Sequence, residues 1–292
     1  MNILMSVLQQ GLIFSIAAFG VYITFRILDF PDMSVDGTFP LGAAVTAMCI
    51  VKGMNPFAAS ILSFGAGCIG GFFTGILHVK LKISNLLSGI LVMIGLYSIN
   101  LRIMTKSNVP LFGQKTIFSS NVNLLLMLFI IMIIVKVVLD LFLKTKLGFA
   151  LKAVGDNEQL VTSLSLNKDN IKLTGLAISN GLAALSGSMM AQYQGFSDVG
   201  MGTGTVVMGL AAVILGESVF GKIRSLKPTT TALFGSILYK AAIALALMCN
   251  LQSNDLRLVT ALIVILALSL NGKKLSFKTK KHNLGGESYV KD

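Results

Sequence analysis

With 292 residues, 54% of them hydrophobic and only 12% charged, the chain has a mean hydropathy of +0.81. Water-soluble domains hold about 25% charged residues, so a soluble enzyme or binding module is excluded. The net charge of +12 points to an anionic membrane surface and not to nucleic acid, because the basic residues sit between long apolar runs.

A window of about 20 residues, the length that crosses a bilayer, marks apolar segments over 3–25, 38–52, 57–79, 84–104, 121–143, 171–193, 205–220, 229–250 and 257–271. The first lacks a basic start and a small-residue cleavage site, so it reads as a retained span and not a signal peptide. Segments 38–52 and 205–220 are short, as expected of tilted or broken helices that reach only the midplane. The predicted fold is therefore all-α, a polytopic transmembrane helix bundle of about 8–10 spans with two short or broken helices. A transmembrane domain is expected over 1–272, with halves of about 1–143 and 171–272 around a polar loop 144–170. The remainder, 273–292, is a Lys-rich tail suited to contact with anionic lipid.

Within the apolar runs, Gly65, Gly67, Gly70, Gly71 and Gly75 form a small-residue stripe with a GxxxG step, which predicts close helix packing. Asn100, Asn180, Gln192, Gln194 and Glu217 are polar residues in apolar surroundings, and Asp32, Asp36 and Asp198 stand at segment ends. Such residues face another helix or a cavity, since lipid offers them no partner. Asn100 and Asn180 are expected to bond between helices. Cys49, Cys68 and Cys249 lack CxxC spacing, and His78 and His282 are far apart, so no disulfide framework, metal site or cofactor is expected.

Between the fifth and sixth segments lies a polar island, 149–170. Asp156 is suited to N-cap a short helix, with Gln159 three residues on. Leu160, Val161 and Leu164 then share one face, an apolar stripe offered to something outside the span bundle. With this island in the cytoplasm and the segments alternating outward from it, only Lys52, Arg102, Lys106, Lys115 and Arg257 of the 24 basic residues land outside. Lys136 and Lys240 fall within spans, and the rest land inside, as the positive-inside rule requires. The N-terminus is thus expected outside and the tail in the cytoplasm.

Two stretches echo one another. Phe30-Pro31-Asp32-Met33 precedes Gly37-Thr38 and one short segment; Phe196-Ser197-Asp198-Val199 precedes Gly204-Thr205 and the other. In the topology above they lie at opposite faces, as an inverted repeat with a substrate route between its halves would place them. Gly216 to Lys222 has the GxxxxGK spacing of a phosphate loop, but Ile223 stands where Ser or Thr is needed. Nucleotide binding by this chain is rejected, and no nucleophile–base pair supports an enzyme.

The runs Asp32–Ala44, Leu86–Met104, Gly155–Glu158, Asn180–Gly187 and Gln192–Asp198, continuing to Gly216-Glu217, resemble permease subunits of ATP-binding-cassette importers. The broad kinship is with branched-chain amino acid and ribose permeases. The closer similarity is to a branch associated with tryptophan or tyrosine uptake. The resemblance implies a type II importer-like architecture in a bacterial plasma membrane, without catalytic residues. It implies a permease homodimer, two copies of a separate ATP-binding subunit and an extracellular substrate-binding lipoprotein. By it, Gly155, Asp156, Asn157, Glu158, Leu160, Val161 and Leu164 form the helix that couples to the ATPase. Asn100, Gln192, Gln194 and Asp198, near the outer ends of their spans, are candidates for the substrate pathway. An aromatic amino acid is the favoured solute; branched-chain amino acids, nucleosides or a vitamin precursor are alternatives. A stand-alone secondary transporter would instead need acid or His relays in mid-span.

Overall fold

Residues 3–119, 123–163, 166–221, 223 and 226–248, with isolated positions between 258 and 265, are described by a computed structural model. Helices dominate. In chain order they are α1 (Ile3–Val21), continued by a π-helical turn (Tyr22–Ile27), α2 (Val35–Val51), α3 (Pro56–Val79), α4 (Asn85–Met104) and α5 (Leu124–Phe142). Two short helices follow, α6 (Lys146–Asp156) and α7 (Glu158–Ser163), then α8 (Lys168–Gln194), α9 (Thr205–Phe220) and α10 (Pro228–Met248). Eight of these match the first eight apolar segments. Of the ninth, 257–271, only scattered positions are described, among them Thr260, whose hydroxyl accepts from Tyr239 Oη at 3.1 Å. The tail 273–292 lies outside the described residues.

The helix ends away from the bundle interior are capped by their own sequence. Asn55 accepts from Phe57 N ahead of Pro56, Asn123 from Leu125 N, Thr145 from Gly148 N and Asn167 from Asp169 N and Asn170 N. Gly195, with φ of +77°, closes α8 in the left-handed conformation.

Helix α8 is the hub. Its Ser179 donates to the Gly20 carbonyl and its Ser186 to the Ile13 carbonyl, so α1 runs antiparallel to it. Its Ser188 bonds Ser60 of α3 and Thr46 of α2, while Asn180 meets Thr38. Hence α2 runs with α8 and α3 against it. A Cβ on Gly71 would lie 2.2 Å from the Leu176 carbonyl oxygen, so only glycine lets α3 approach α8 this closely. Gly67, Gly70 and Gly75 of the expected stripe also face close neighbours, but Gly65 meets nothing within 4 Å and turns outward. Among the described residues, six helical stretches are long and apolar enough to cross a membrane, and α8 is not one of them. The reason is its position: its Ser, Asn and Gln side chains are buried among helices and bond across to them, not to lipid. Conversely α4 and α5 bury narrow faces and present Leu87, Ile94, Ile134 and Val138 outward.

At one end of the bundle β1 (Asn108–Pro110) pairs antiparallel with β2 (Phe196–Asp198), joining the two halves. The opposite end carries α6 and α7. These are called the ladder end and the α6 end.

Candidate functional site

The two short apolar segments, α2 and α9, start among buried residues: Ser34 and Val35 at the one, Thr205 at the other. Asp36, in the first turn of α2, accepts from Gly204 N through Oδ2 and from Val206 N through Oδ1, both at 2.8 Å. The N-terminus of α9 is therefore capped by a side chain from α2, and the two N-termini abut. Gly204 makes the entry turn at φ of +84°. Pro40 removes the helical donor for the Asp36 carbonyl oxygen, and Gly202 fits against that oxygen, where a Cβ would come within 2.2 Å. Beside this junction a groove of about 480 Å³ opens between α2, α4 and the turn before α9, lined by Met33, Asp36, Met93, Tyr97, Asn100 and Thr203 among others. Asn100 is fully buried; its Nδ2 donates to the Gly37 carbonyl at 3.2 Å, while Oδ1 has no partner among the described residues.

Toward the α6 end, Asp32 and Asn180 form a buried polar knot. Asp32 Oδ1 accepts from Ser34 N at 2.8 Å, and Asn180 Nδ2 donates to Asp32 Oδ2 at 2.7 Å. Thr38 donates to Asn180 Oδ1 at 2.8 Å, and Ser34 Oγ lies within bonding distance of both partners. Asp32 is thus at a helix start, as its sequence position indicates, yet is only 3% exposed. The two echoing stretches share a geometry. Ser34 N bonds Asp32 and Gly200 N bonds Asp198, each at 2.8 Å, and the helices that follow run in opposite directions.

The four expected pathway residues separate. Asn100 lines the groove. Gln192 instead bridges elements: Nε2 donates to Ser60 Oγ at 2.9 Å and Oε1 accepts from Ile117 N at 3.0 Å. Gln194 is exposed at the end of α8, and Asp198 accepts from Asn108 Nδ2 and Gly200 N at the ladder end. The structure adds Asp36 and Tyr97 to the groove; the sequence marks Asp36 only as an acid at a segment end, and Tyr97 carries no signal beyond a polar ring in an apolar run.

The α6 end corrects several local expectations. Asp156 is the last residue of α6, and Asn157 caps α7 by accepting from Gln159 N at 3.0 Å. Gly155 is helical, and a Cβ there would fall 1.7 Å from the Ile27 carbonyl oxygen, which seats α6 on the π-helical turn of α1. Glu158 is not free for a partner. It pairs with Lys172 and, at 3.1 Å, with Lys168, both on α8, and the Lys172 hydrogen bond leads in holding its carboxyl below the usual 4.5. Val161 is fully buried in the main core because α7 folds back on α8. Leu164 and the Leu160 side chain lie outside the described residues. Among the described residues, the outward apolar side chains here are Leu147 and Phe149 of α6, 51% and 62% exposed, and Leu166 after α7, with the Lys152 ammonium 5.6 Å from the Phe149 ring. Residues 216–220, the phosphate-loop lookalike, are helical.

The profile of the family described as "Branched-chain amino acid transport system / permease component" matches residues 3–269. The chain is 50% identical over 278 residues to the tyrosine transport system permease protein of Clostridioides difficile (strain R20291), covering 95% of this chain and 94% of that one. It is 36% identical over 275 residues to Uncharacterized protein RP368 of Rickettsia prowazekii (strain Madrid E), covering 92% and 98%. Among solved structures, PsaBC from Streptococcus pneumoniae in complex with Fab superposes with a TM-score of 0.54 at 12% identity, over 94% of this chain and 96% of that one, a likeness of fold. An all-helical multi-pass bundle with a match to one transport family along nearly its whole length is a carrier and not an enzyme: the chain belongs to the branched-chain amino acid transport system permease family.

Proposed function

We propose that this permease imports an aromatic amino acid, of the tyrosine class, using ATP hydrolysed by a separate subunit. The observation that carries the solute class is the 50% identity, along 95% of the chain, to a permease named for tyrosine transport. In this reading two permease copies pair, a substrate-binding lipoprotein delivers the solute at the ladder end, and the N-terminus lies outside. Two ATP-binding subunits dock on α6 and α7 at the cytoplasmic end. Support for that docking comes from how the end is built: Gly155 seats α6 on α1 and Glu158 ties α7 to α8, so a push on either is passed to two long helices. The solute's route runs along the groove beside Asn100.

The test is reconstitution of the permease with its ATPase and binding protein in liposomes. Tyrosine-loaded binding protein should stimulate ATP turnover and labelled tyrosine should accumulate inside. Accumulation without the ATPase would overturn the reading in favour of a secondary transporter, and stimulation only by another solute would overturn the solute class.

A further inference from the structure

We infer that the groove at the abutting N-termini of α2 and α9 is a binding site for the α-ammonium group of the transported amino acid, with Asp36 and Asn100 as its acceptors and the Tyr97 face beside the side chain. This rests on the import of an amino acid proposed above.

Three observations converge. The first is an orphan. Asn100 is buried, its amide nitrogen is committed to Gly37, and Oδ1 is the buried side-chain oxygen left without a donor among the described residues. A buried acceptor without a partner is expensive, and such groups in native proteins have a reason. The second is the companion charge. Asp36 lines the same groove, and its two oxygens take the backbone N–H groups of Gly204 and Val206 at 2.8 Å, with that of Thr205 between them. A carboxylate has about four acceptor directions, so capacity remains for a cation. The third is the remainder of the lining. Met33, Pro40, Met93 and Ile94 give apolar walls, and the Tyr97 ring stands 54% exposed along one side. The volume of about 480 Å³ accommodates an aromatic amino acid. Among the described residues no Lys or Arg lines the groove, and Asp36 already occupies the N–H groups that begin α9, so the side-chain charge facing the groove is acidic and suits an ammonium.

The chemistry separates tyrosine from its two halves. Tyramine keeps the ring and the ammonium; 3-(4-hydroxyphenyl)propanoate keeps the ring and the carboxylate. With the permease–ATPase complex in detergent and no binding protein present, labelled tyrosine should be displaced by tyramine and not by the propanoate. Asn100→Leu should weaken tyrosine binding about tenfold, the scale of a hydrogen bond to a charged group, and Asp36→Asn should weaken it while keeping one of the two oxygens that cap α9. Displacement by the propanoate but not by tyramine would overturn the site, and so would unchanged tyrosine affinity in both assembled variants. The displacement experiment needs no variant, so misfolding of either leaves it decisive. If the unsubstituted complex neither binds nor imports any amino acid, the functional reading fails and takes the site with it. If it imports tyrosine and the displacement order is reversed, the site alone fails.

Discussion

Asp36 and Gly204 come from opposite halves of the chain and meet at 2.8 Å, carboxylate to backbone amide, where two helices start inside the bundle. Gly204 brings no side-chain cap of its own to α9. Asp36→Ala should therefore destabilise the protein by about 1–2 kcal/mol, the upper range for a lost N-cap. Asp36→Asn should be milder. Thermal unfolding of the detergent-purified protein distinguishes the two; equal melting temperatures for all three proteins would mean that the bond contributes nothing.

Asn180 is expected to be the costlier knot residue. Asn180→Leu leaves Asp32 Oδ2 buried without its donor and takes from Thr38 the nearer of its two acceptors, a loss of about 2–3 kcal/mol or more where the Asp32–Asn180 pair is separated by 2.7 Å. The double substitution Asn180→Leu with Asp32→Asn should recover part of that loss. Strict additivity in unfolding measurements would argue that the two side chains do not act together.

Gly155→Ala should uncouple the permease. The added methyl would collide with the Ile27 carbonyl oxygen and lift α6 off the π-helical turn. We expect the complex to assemble, yet ATP turnover stimulated by loaded binding protein should fall severalfold. Full stimulation in that variant would place force transmission elsewhere.

Glu158 supplies a pH signature outside the membrane. Its carboxyl sits below the usual 4.5, with Lys172 the leading cause. A lowered folded value means the stabilisation is complete above the usual value and fades as pH falls through the lowered one. The pair is partly exposed, so the effect is at most about 1 kcal/mol. The difference in melting temperature between the native protein and Glu158→Gln should be present at neutral pH and vanish in acid; a difference that grows in acid would reverse the sign.

Orientation is open to direct labelling. A cysteine placed at Asn108, on the ladder end, should react with an impermeant reagent in intact cells, and one placed at Asn167, at the start of α8, should not. The reverse result would put α6 and α7 outside the cell and remove the docking proposal.

The span boundaries were legible because length and apolar content alone decide them in lipid; 205–220 was located to the residue and 57–79 to within one. The polar positions were legible as residues but not as roles. Gln192 and Asn100 look alike in sequence, each a lone amide in an apolar run. Only packing makes the first a bridge between Ser60 and Ile117 and leaves the second with an unmet oxygen. At the α6 end, local pattern pointed to Asp156 as a cap, but α6 continued through it. Seating on the Ile27 carbonyl extends that helix, a long-range contact that no window of neighbouring residues contains.

The two ends of the bundle are fastened by bonds of different kinds, and ionic strength should tell them apart. The ladder end is closed by backbone hydrogen bonds between Asn108–Pro110 and Phe196–Asp198, which mobile ions scarcely weaken. At the α6 end the exposed ties between the halves are the ion pairs of Arg26 with Glu217 at 3.0 Å and Lys227 with Asp140 at 2.9 Å, whose cations are more than half exposed, beside the buried Asp32–Asn180 bond. Screening length shrinks from about 8 Å in physiological salt to about 3 Å at 1 M. Concentrated salt is thus expected to slacken the α6 end while the ladder stays shut, so that brine acts on this molecule as a one-sided latch release.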